Sequence, residues 1–364
     1  MTKRFADLSP TLAEVGTERL AALCRAVGFD DAQAEAALGT FGRFALYWGR
    51  RRVHAGPPGQ SDITDDHTPF EFSIAIDGGA PELRFLVEVQ AEQTSLAAHW
   101  TAAAEVNRGL AADFGAELER LRAVADLFAP TAHTPRFALW HAVCLTPGEP
   151  PSFKVYLNPQ ARGVRESAAL VKAALARLGF GDAYAQLPAC RGRDSYIYFS
   201  LDLSRQREAR VKVYAAHHDA LSTEIEAAVA GADGHVAGQA REFCEALAET
   251  PGPYARRPVL TCLSFVEGSA RPSYATVHFP VRTYADDDQV IRDRVMRYIA
   301  PEGAGPYARA LAAFARRPLE AGVGMQTYVS LRINKGTKRL TVYLAPELFT
   351  VERAELPMAR AQRL

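Results

Sequence analysis

Three short stretches place a basic or polar residue two positions before a tyrosine: Lys154-Val155-Tyr156, Lys212-Val213-Tyr214 and Thr341-Val342-Tyr343. Residues two apart in a β-strand share a face, so each tyrosine lies beside its partner while the valine turns away. Arg210 extends the second row to Arg210, Lys212 and Tyr214. Guanidinium and ammonium groups hold phosphate oxygens, and a phenol ring tolerates a nearby carbocation. That pairing suits chemistry on an allylic diphosphate.

Such rows need strands to carry them. Five hairpins are predicted: 70–76 with 83–90 across Asp77-Gly78-Gly79, 137–145 with 152–158, 195–203 with 209–215, 259–266 with 274–281 across Gly268 and Pro272, and 325–333 with 339–345 across Asn334-Lys335-Gly336. The turn residues sit where hairpin connections require them. Helices are predicted between the hairpins over 95–114, 117–128, 164–178, 236–249, 287–299 and 306–316. Two more are expected before them: one capped at Ser9-Pro10 with Leu12, Val15, Leu20, Leu23 and Val27 on one stripe, and one over 31–48. Strand, strand, helix thus repeats about five times, and ten antiparallel strands can close into one barrel.

Each strand has one apolar face, as Phe70, Phe72, Ile74 and Ile76 show. Amphipathic helices can cover it. The opposite, polar face points either to open solvent or into a lumen. Repeated tyrosine beside Arg or Lys favours the lumen, and a barrel this wide has room for ligands.

The chain has 364 residues, with 42 Lys and Arg against 42 Asp and Glu. A formal charge of zero gives no reason to expect nucleic acid or an anionic membrane as partner. The five cysteines are odd in number, widely spaced and without a Cys-x-x-Cys pair, which argues against a disulfide framework or a zinc site. The first residues, MTKRFADLSP, lack an apolar signal region, and no apolar run approaches the roughly 20 residues of a membrane span. A cytoplasmic protein is expected.

The order and spacing of several motifs resemble the dimethylallyltryptophan synthase family, its bacterial indole prenyltransferases above all. They are Asp65-Asp66-His67-Thr68-Pro69-Phe70-Glu71-Phe72-Ser73, Lys154-Val155-Tyr156-Leu157-Asn158-Pro159, Arg210-Val211-Lys212-Val213-Tyr214 and Thr341-Val342-Tyr343-Leu344-Ala345-Pro346. The likeness runs over nearly the whole chain. It implies an α+β fold, the α-β-β-α prenyltransferase barrel, with ten antiparallel strands inside a ring of helices. Residues 1–364 would be a single domain, with helices in 1–50 and the barrel in 68–350.

The resemblance further implies transfer of a prenyl group from dimethylallyl diphosphate to the indole of tryptophan or a tryptophan derivative, with no strict need for a metal. Arg84, Lys154, Arg210 and Lys212 fall on the family's diphosphate-binding positions, and His278 and Tyr343 are candidates to join them. Tyr156, Tyr214, Tyr328 and Tyr343 match its carbocation shield. Glu71, on the face opposite Phe70 and Phe72, matches the acidic residue that accepts the indole N–H; a carboxylate suits that donor. Ile63, Thr64 and Asn158 are candidates to line the acceptor.

Other readings stay open. Glu71 could instead pair with a cation such as Arg84. His141 lies thirteen residues before Lys154, about where fungal members carry a deprotonating lysine; it is either catalytic or packed, because its strand is apolar on both faces. His278 stands where fungal relatives often have tyrosine. Thr276 would point with His278, and Gln326 and Arg332 would share a face with Tyr328. The run Asp286-Asp287-Asp288 has Val290 and Ile291 where a magnesium-binding Asp-Asp-x-x-Asp needs an acid, so it is read as opening a helix. The acceptor could also be an indole peptide, an indolactam or a phenol, and the donor geranyl diphosphate. A monomer or homodimer is expected. A barrel that merely binds an anionic lipid or metabolite would use the same basic face, but would leave Glu71 without a task.

Overall fold

The computed structural model of the chain describes residues 9–131, 136–269, 271–299, 301–334 and 337–350. The expected leaderless start over residues 1–8 and the Lys335-Gly336 turn lie outside them.

Ten strands, all paired antiparallel, close into one barrel when β1 (Phe70–Ile76) meets β10 (Thr337–Leu344). Between them in order stand β2 (Glu82–Glu88), β3 (Leu139–Leu145), β4 (Ser152–Leu157), β5 (Ser195–Asp202), β6 (Val211–His217), β7 (Val259–Phe265), β8 (Tyr274–Phe279) and β9 (Gln326–Asn334). Closure leaves no free sheet edge, and alternation sends apolar side chains outward and polar ones inward.

The outward face is the core. Phe70, Phe72 and Phe85 meet Phe41 and Phe44 of the helical layer, with Phe41 only 5.3 Å from Phe85 and 5.4 Å from Phe70 between ring centres. That layer begins with α1 (Leu12–Val27) and α2 (Asp31–Phe44) and continues with α3 (Leu96–Phe114), α4 (Glu119–Phe128) and α5 (Ser167–Arg177). It is completed by α6 (Ser222–Val229), α7 (Gln239–Ala248), α8 (Asp288–Tyr298) and α9 (Pro301–Phe314). Gly16 lets α1 come close: a Cβ there would stand 2.4 Å from the Phe41 ring.

Several expectations need correcting. Thr11, not Ser9-Pro10, caps α1, because Thr11 and Glu14 satisfy each other's backbone N–H groups in a capping box. Helix α2 stops at Phe44 rather than 48. Helix α6 was not foreseen; at eight residues it is too short to show a clear period. The acidic run does open a helix: Asp287 accepts the Val290 N–H at 2.8 Å. Asp288, fully buried, instead ties the start of β9 down by accepting from the Gln326 N–H at 2.8 Å and from Arg317.

Two bulges disturb the parity. In β5, Ile197 is extra between the pairs Tyr196–Ala215 and Tyr198–Tyr214. In β9, Val329 pairs with Val342 but Gln326 pairs with Leu344, so Thr327 and Tyr328 together oppose Tyr343. Gln326 therefore turns to the core side, where its amide meets Tyr307 and Asp288. The expectation that it shares a face with Tyr328 fails for this reason.

Candidate active site

The lumen is layered along the barrel axis. At one end lies a basic tier. Arg84, Lys154, Arg210, Lys212, Arg332 and Arg339 converge there from five strands, with Arg210 immediately before β6. Three carboxylates hold part of this charge: Glu82 bonds Arg84 and Arg339, Asp202 clamps Arg210, and Asp77 pairs with Arg339 at 3.2 Å. Burial disfavours the charged form of Asp202, but Arg210, Lys154 and Lys212 outweigh it and hold the carboxyl at about 2. Among the described residues, Lys154, Lys212 and Arg332 have no carboxylate partner. Lys154 Nζ meets Cys144 Sγ at 2.9 Å, while Lys212 and Arg332 flank the ring of Tyr274 at 5.8 and 5.1 Å.

Above it runs an aromatic tier. Tyr156 and Tyr214 are 5.8 Å apart, Tyr214 and His278 5.6 Å, His278 and Tyr343 5.9 Å, and Tyr343 and Tyr328 6.5 Å. Tyr198 closes against Tyr214 at 5.7 Å. Burial keeps these phenols neutral, pushing Tyr343 up to about 12. His278 is neutral too: burial, with Lys212 and Arg84 nearby, pulls it down to about 3. Rings of this kind offer π-faces to a cation without offering a reactive anion.

The far end carries Glu71. Burial raises its carboxyl to about 8, against the opposing hydrogen bond from the Thr327 hydroxyl at 2.5 Å. Arg84 is not its partner, so the ion-pair alternative fails. Ile63, Phe137 and Trp140 pack beside Leu86, Tyr156 and Tyr198 at this end, with Phe137 stacked on Trp140 at 4.1 Å. Next to them Asp65 accepts from both Arg257 at 2.9 Å and Arg282 at 2.5 Å, and Arg257 covers the Tyr328 ring at 5.3 Å.

Thus Glu71, Arg84, Lys154, Arg210, Lys212, Tyr156, Tyr214, His278 and Tyr343 face one chamber, with Thr276 and Arg332 among its walls. Tyr328 joins through its contact with Tyr343, and Ile63 through the aromatic end. Of three others, one departs from expectation and two are held by local hydrogen bonds. His141 lies on the outward face, opposite Val155 and Val87, bonding Asn107 of α3 at 3.0 Å and packing on Phe44. Burial lowers it to about 3, and it does not reach the chamber. Asn158 spans a turn, donating to the Phe137 carbonyl and accepting from the Gln160 N–H. The Thr64 hydroxyl is taken up by Asp66 and the Thr68 carbonyl.

The sequence reading also missed residues. Asp202, Tyr274 and Arg339 obey the parity that found their neighbours. Trp140 was hidden on a strand apolar on both faces, and Tyr198 behind a bulge. Asp65 and Arg257 stand on irregular backbone and Arg282 in a three-residue 3-10 helix, where no period marks them. Among the described residues no group of three or more His, Cys, Asp or Glu could hold a metal ion, and no helix is long and apolar enough to cross a membrane.

The family model described as tryptophan dimethylallyltransferase matches residues 16–313. The chain belongs to this family. It is a prenyltransferase by that membership, and its barrel is the α-β-β-α prenyltransferase fold. It is similar to the 5-dimethylallyltryptophan synthase of Streptomyces coelicolor, with a TM-score of 0.89 and 34% identity over 94% of this chain and 100% of that one. A structure of 6-dimethylallyltryptophan synthase from Micromonospora olivasterospora, in complex with DMASPP and Trp, matches with a TM-score of 0.87 and 34% identity, covering 94% of this chain and 99% of that one. The likeness to the prenyltransferase anuH of Penicillium roqueforti is local: 38% identity over 79 residues, 20% of this chain and 18% of that protein.

Proposed function

We propose that the chain transfers a dimethylallyl group from dimethylallyl diphosphate to the indole ring of L-tryptophan. The observation that carries this reading is the order of the tiers: cations without carboxylate partners, then neutral rings in tilted and edge-on contact, then a buried carboxylate, all in one closed barrel. The basic tier receives the diphosphate and stabilises charge as the C–O bond breaks. Tyr156, Tyr214, Tyr328 and Tyr343 surround the allylic cation and exclude water, each ring contributing about 0.5–2 kcal/mol. Glu71 accepts the indole N–H, orients the ring and enriches its electron density.

Two guanidinium groups on the single carboxylate of Asp65 leave positive charge at the Glu71 end. That charge fits an acceptor bearing its own carboxylate, which favours the free amino acid over an indole peptide or a phenol. The cations of the basic tier offer the charge compensation that a divalent metal would otherwise supply, so the reaction proceeds without one. We further propose that residues 1–364 act as one unit, in the cytoplasm, where the five unpaired cysteines remain reduced.

Incubation with dimethylallyl diphosphate and tryptophan in EDTA should release diphosphate and give tryptophan heavier by one dimethylallyl unit, read by mass spectrometry. Turnover of an indole peptide or of geranyl diphosphate with none of tryptophan would overturn the substrate assignment. Binding of the donor without ionisation, with any acceptor, would overturn catalysis.

A further inference from the structure

Tyr274 stands apart from the other phenols of the lumen. It lies at the start of β8, in the basic tier rather than the aromatic one. Its hydroxyl takes a hydrogen bond from Arg210 Nη1 at 2.6 Å. Lys212 and Arg332 lie over its ring at 5.8 and 5.1 Å, and Ser264 is its cross-strand partner on β7. It also lines an outer groove beside Ser204 and Arg205 of the β5–β6 connection and Ser273, so this one residue borders both the donor chamber and the groove.

We propose that Tyr274 is the general acid for the departing diphosphate. This inference rests on the prenyl-transfer reading above and adds a proton to it. The ionised donor carries three negative charges. When its C1–O bond breaks, both electrons stay on oxygen and diphosphate alone would carry four. Tyr274 gives its phenolic proton to that oxygen as the bond breaks, leaving the hydrogen diphosphate trianion, the allylic cation and a tyrosinate. The proton transfer conserves the charge of the tier, whose six cations and three carboxylates leave a surplus of three; it divides the four negative charges between hydrogen diphosphate and the tyrosinate instead of concentrating them on the leaving group. Arg210 at hydrogen-bond distance, with Lys212 and Arg332, stabilises the tyrosinate. Glu71 later takes the ring proton at the other end and releases it to solvent, from which Tyr274 regains a proton. Summed, the ring proton is replaced by the allyl group and one proton leaves on diphosphate.

The charged neighbours support this assignment. Burial opposes ionisation of Tyr274, yet Lys212, Arg210 and Arg332 outweigh it and draw the phenol down to about 8. Arg84 and Glu82 on β2, Lys154 on β4, Asp202 on β5, Arg339 on β10 and Asp77 complete the charges around the tier. A general acid works best when its pKa lies near the operating pH.

The test is the pH profile of kcat for the wild type, for Tyr274→Phe, and for protein with 3,5-difluorotyrosine, a more acidic phenol, at position 274. The wild type should lose kcat above about pH 8 as the phenol ionises. Tyr274→Phe should lose kcat by about 10²–10⁴-fold and lack that alkaline limb. Difluorotyrosine should move the limb to lower pH with little change in the donor KM. If Tyr274→Phe keeps the limb and most of kcat, or changes only KM, Tyr274 is a packing or binding residue. If the wild type itself forms no prenylated tryptophan, the parent reading has failed instead.

Discussion

Glu71 combines two opposed demands. It must be charged to accept a proton, and its burial makes charge costly. Glu71→Gln should therefore reduce kcat by about 10²–10⁴-fold. The same change should stabilise the fold in alkali. The carboxyl is raised to about 8 in the folded chain, against about 4.3 when unfolded. Between those values the folded state holds the extra proton, so its stability falls as pH rises through the window. Gln removes that dependence. The Tm advantage of the variant should be absent near pH 4, grow toward pH 8 and reach about 2 °C or more. His141 should behave in the opposite way. His141→Leu leaves the Asn107 amide oxygen buried without its partner, costing about 1–3 kcal/mol, yet kcat should stay within about twofold. A large loss of kcat with unchanged Tm would return His141 to the chemistry. Strand parity makes the cations at 84, 154, 210 and 212 legible in the sequence. It could not settle His141, because β3 has no polar face to distinguish inside from outside.

Strands and their irregularities decide which residues share the chamber. The five hairpins were legible because turn residues and apolar alternation agree. The bulges were not, since an inserted residue leaves no mark in composition and reverses the facing of everything beyond it. In β9 the bulge turns both Thr327 and Tyr328 toward Tyr343, which is how Thr327 reaches Glu71. That hydrogen bond lowers the Glu71 pKa. Thr327→Val should remove it with little change in volume, so the carboxyl should titrate at higher pH. The acid limb of kcat/KM should move to alkaline pH while kcat on the plateau falls less than in Glu71→Gln. An unmoved limb would mean that the Thr327 hydroxyl does not act on the ionised form. Arg257 and Asp65 were beyond this kind of reading altogether, because loops carry no period to exploit.

The whole chain is formally neutral, yet closure of the barrel separates its charges. Rows that look scattered in sequence meet in one basic tier, while the neutral rings divide that tier from Glu71. Composition cannot show this, because it depends on ten strands completing a circle. The separation implies that the two substrates are held by different charges. Lys212→Met removes a cation without a carboxylate partner from the tier. A hydrogen bond to a charged group contributes about 1.5–3 kcal/mol, so donor KM and the inhibition constant of product diphosphate should both rise by about ten- to a hundredfold. They should rise together, since donor and product share the diphosphate. Tryptophan KM should change by less than about threefold, because the proposed place for its carboxylate is with Arg257 and Arg282 at the far end. Steady-state kinetics with each substrate varied in turn reads all three constants. Equal weakening of donor and acceptor would mean that the tiers do not divide the lumen, and that one binding pocket serves both molecules.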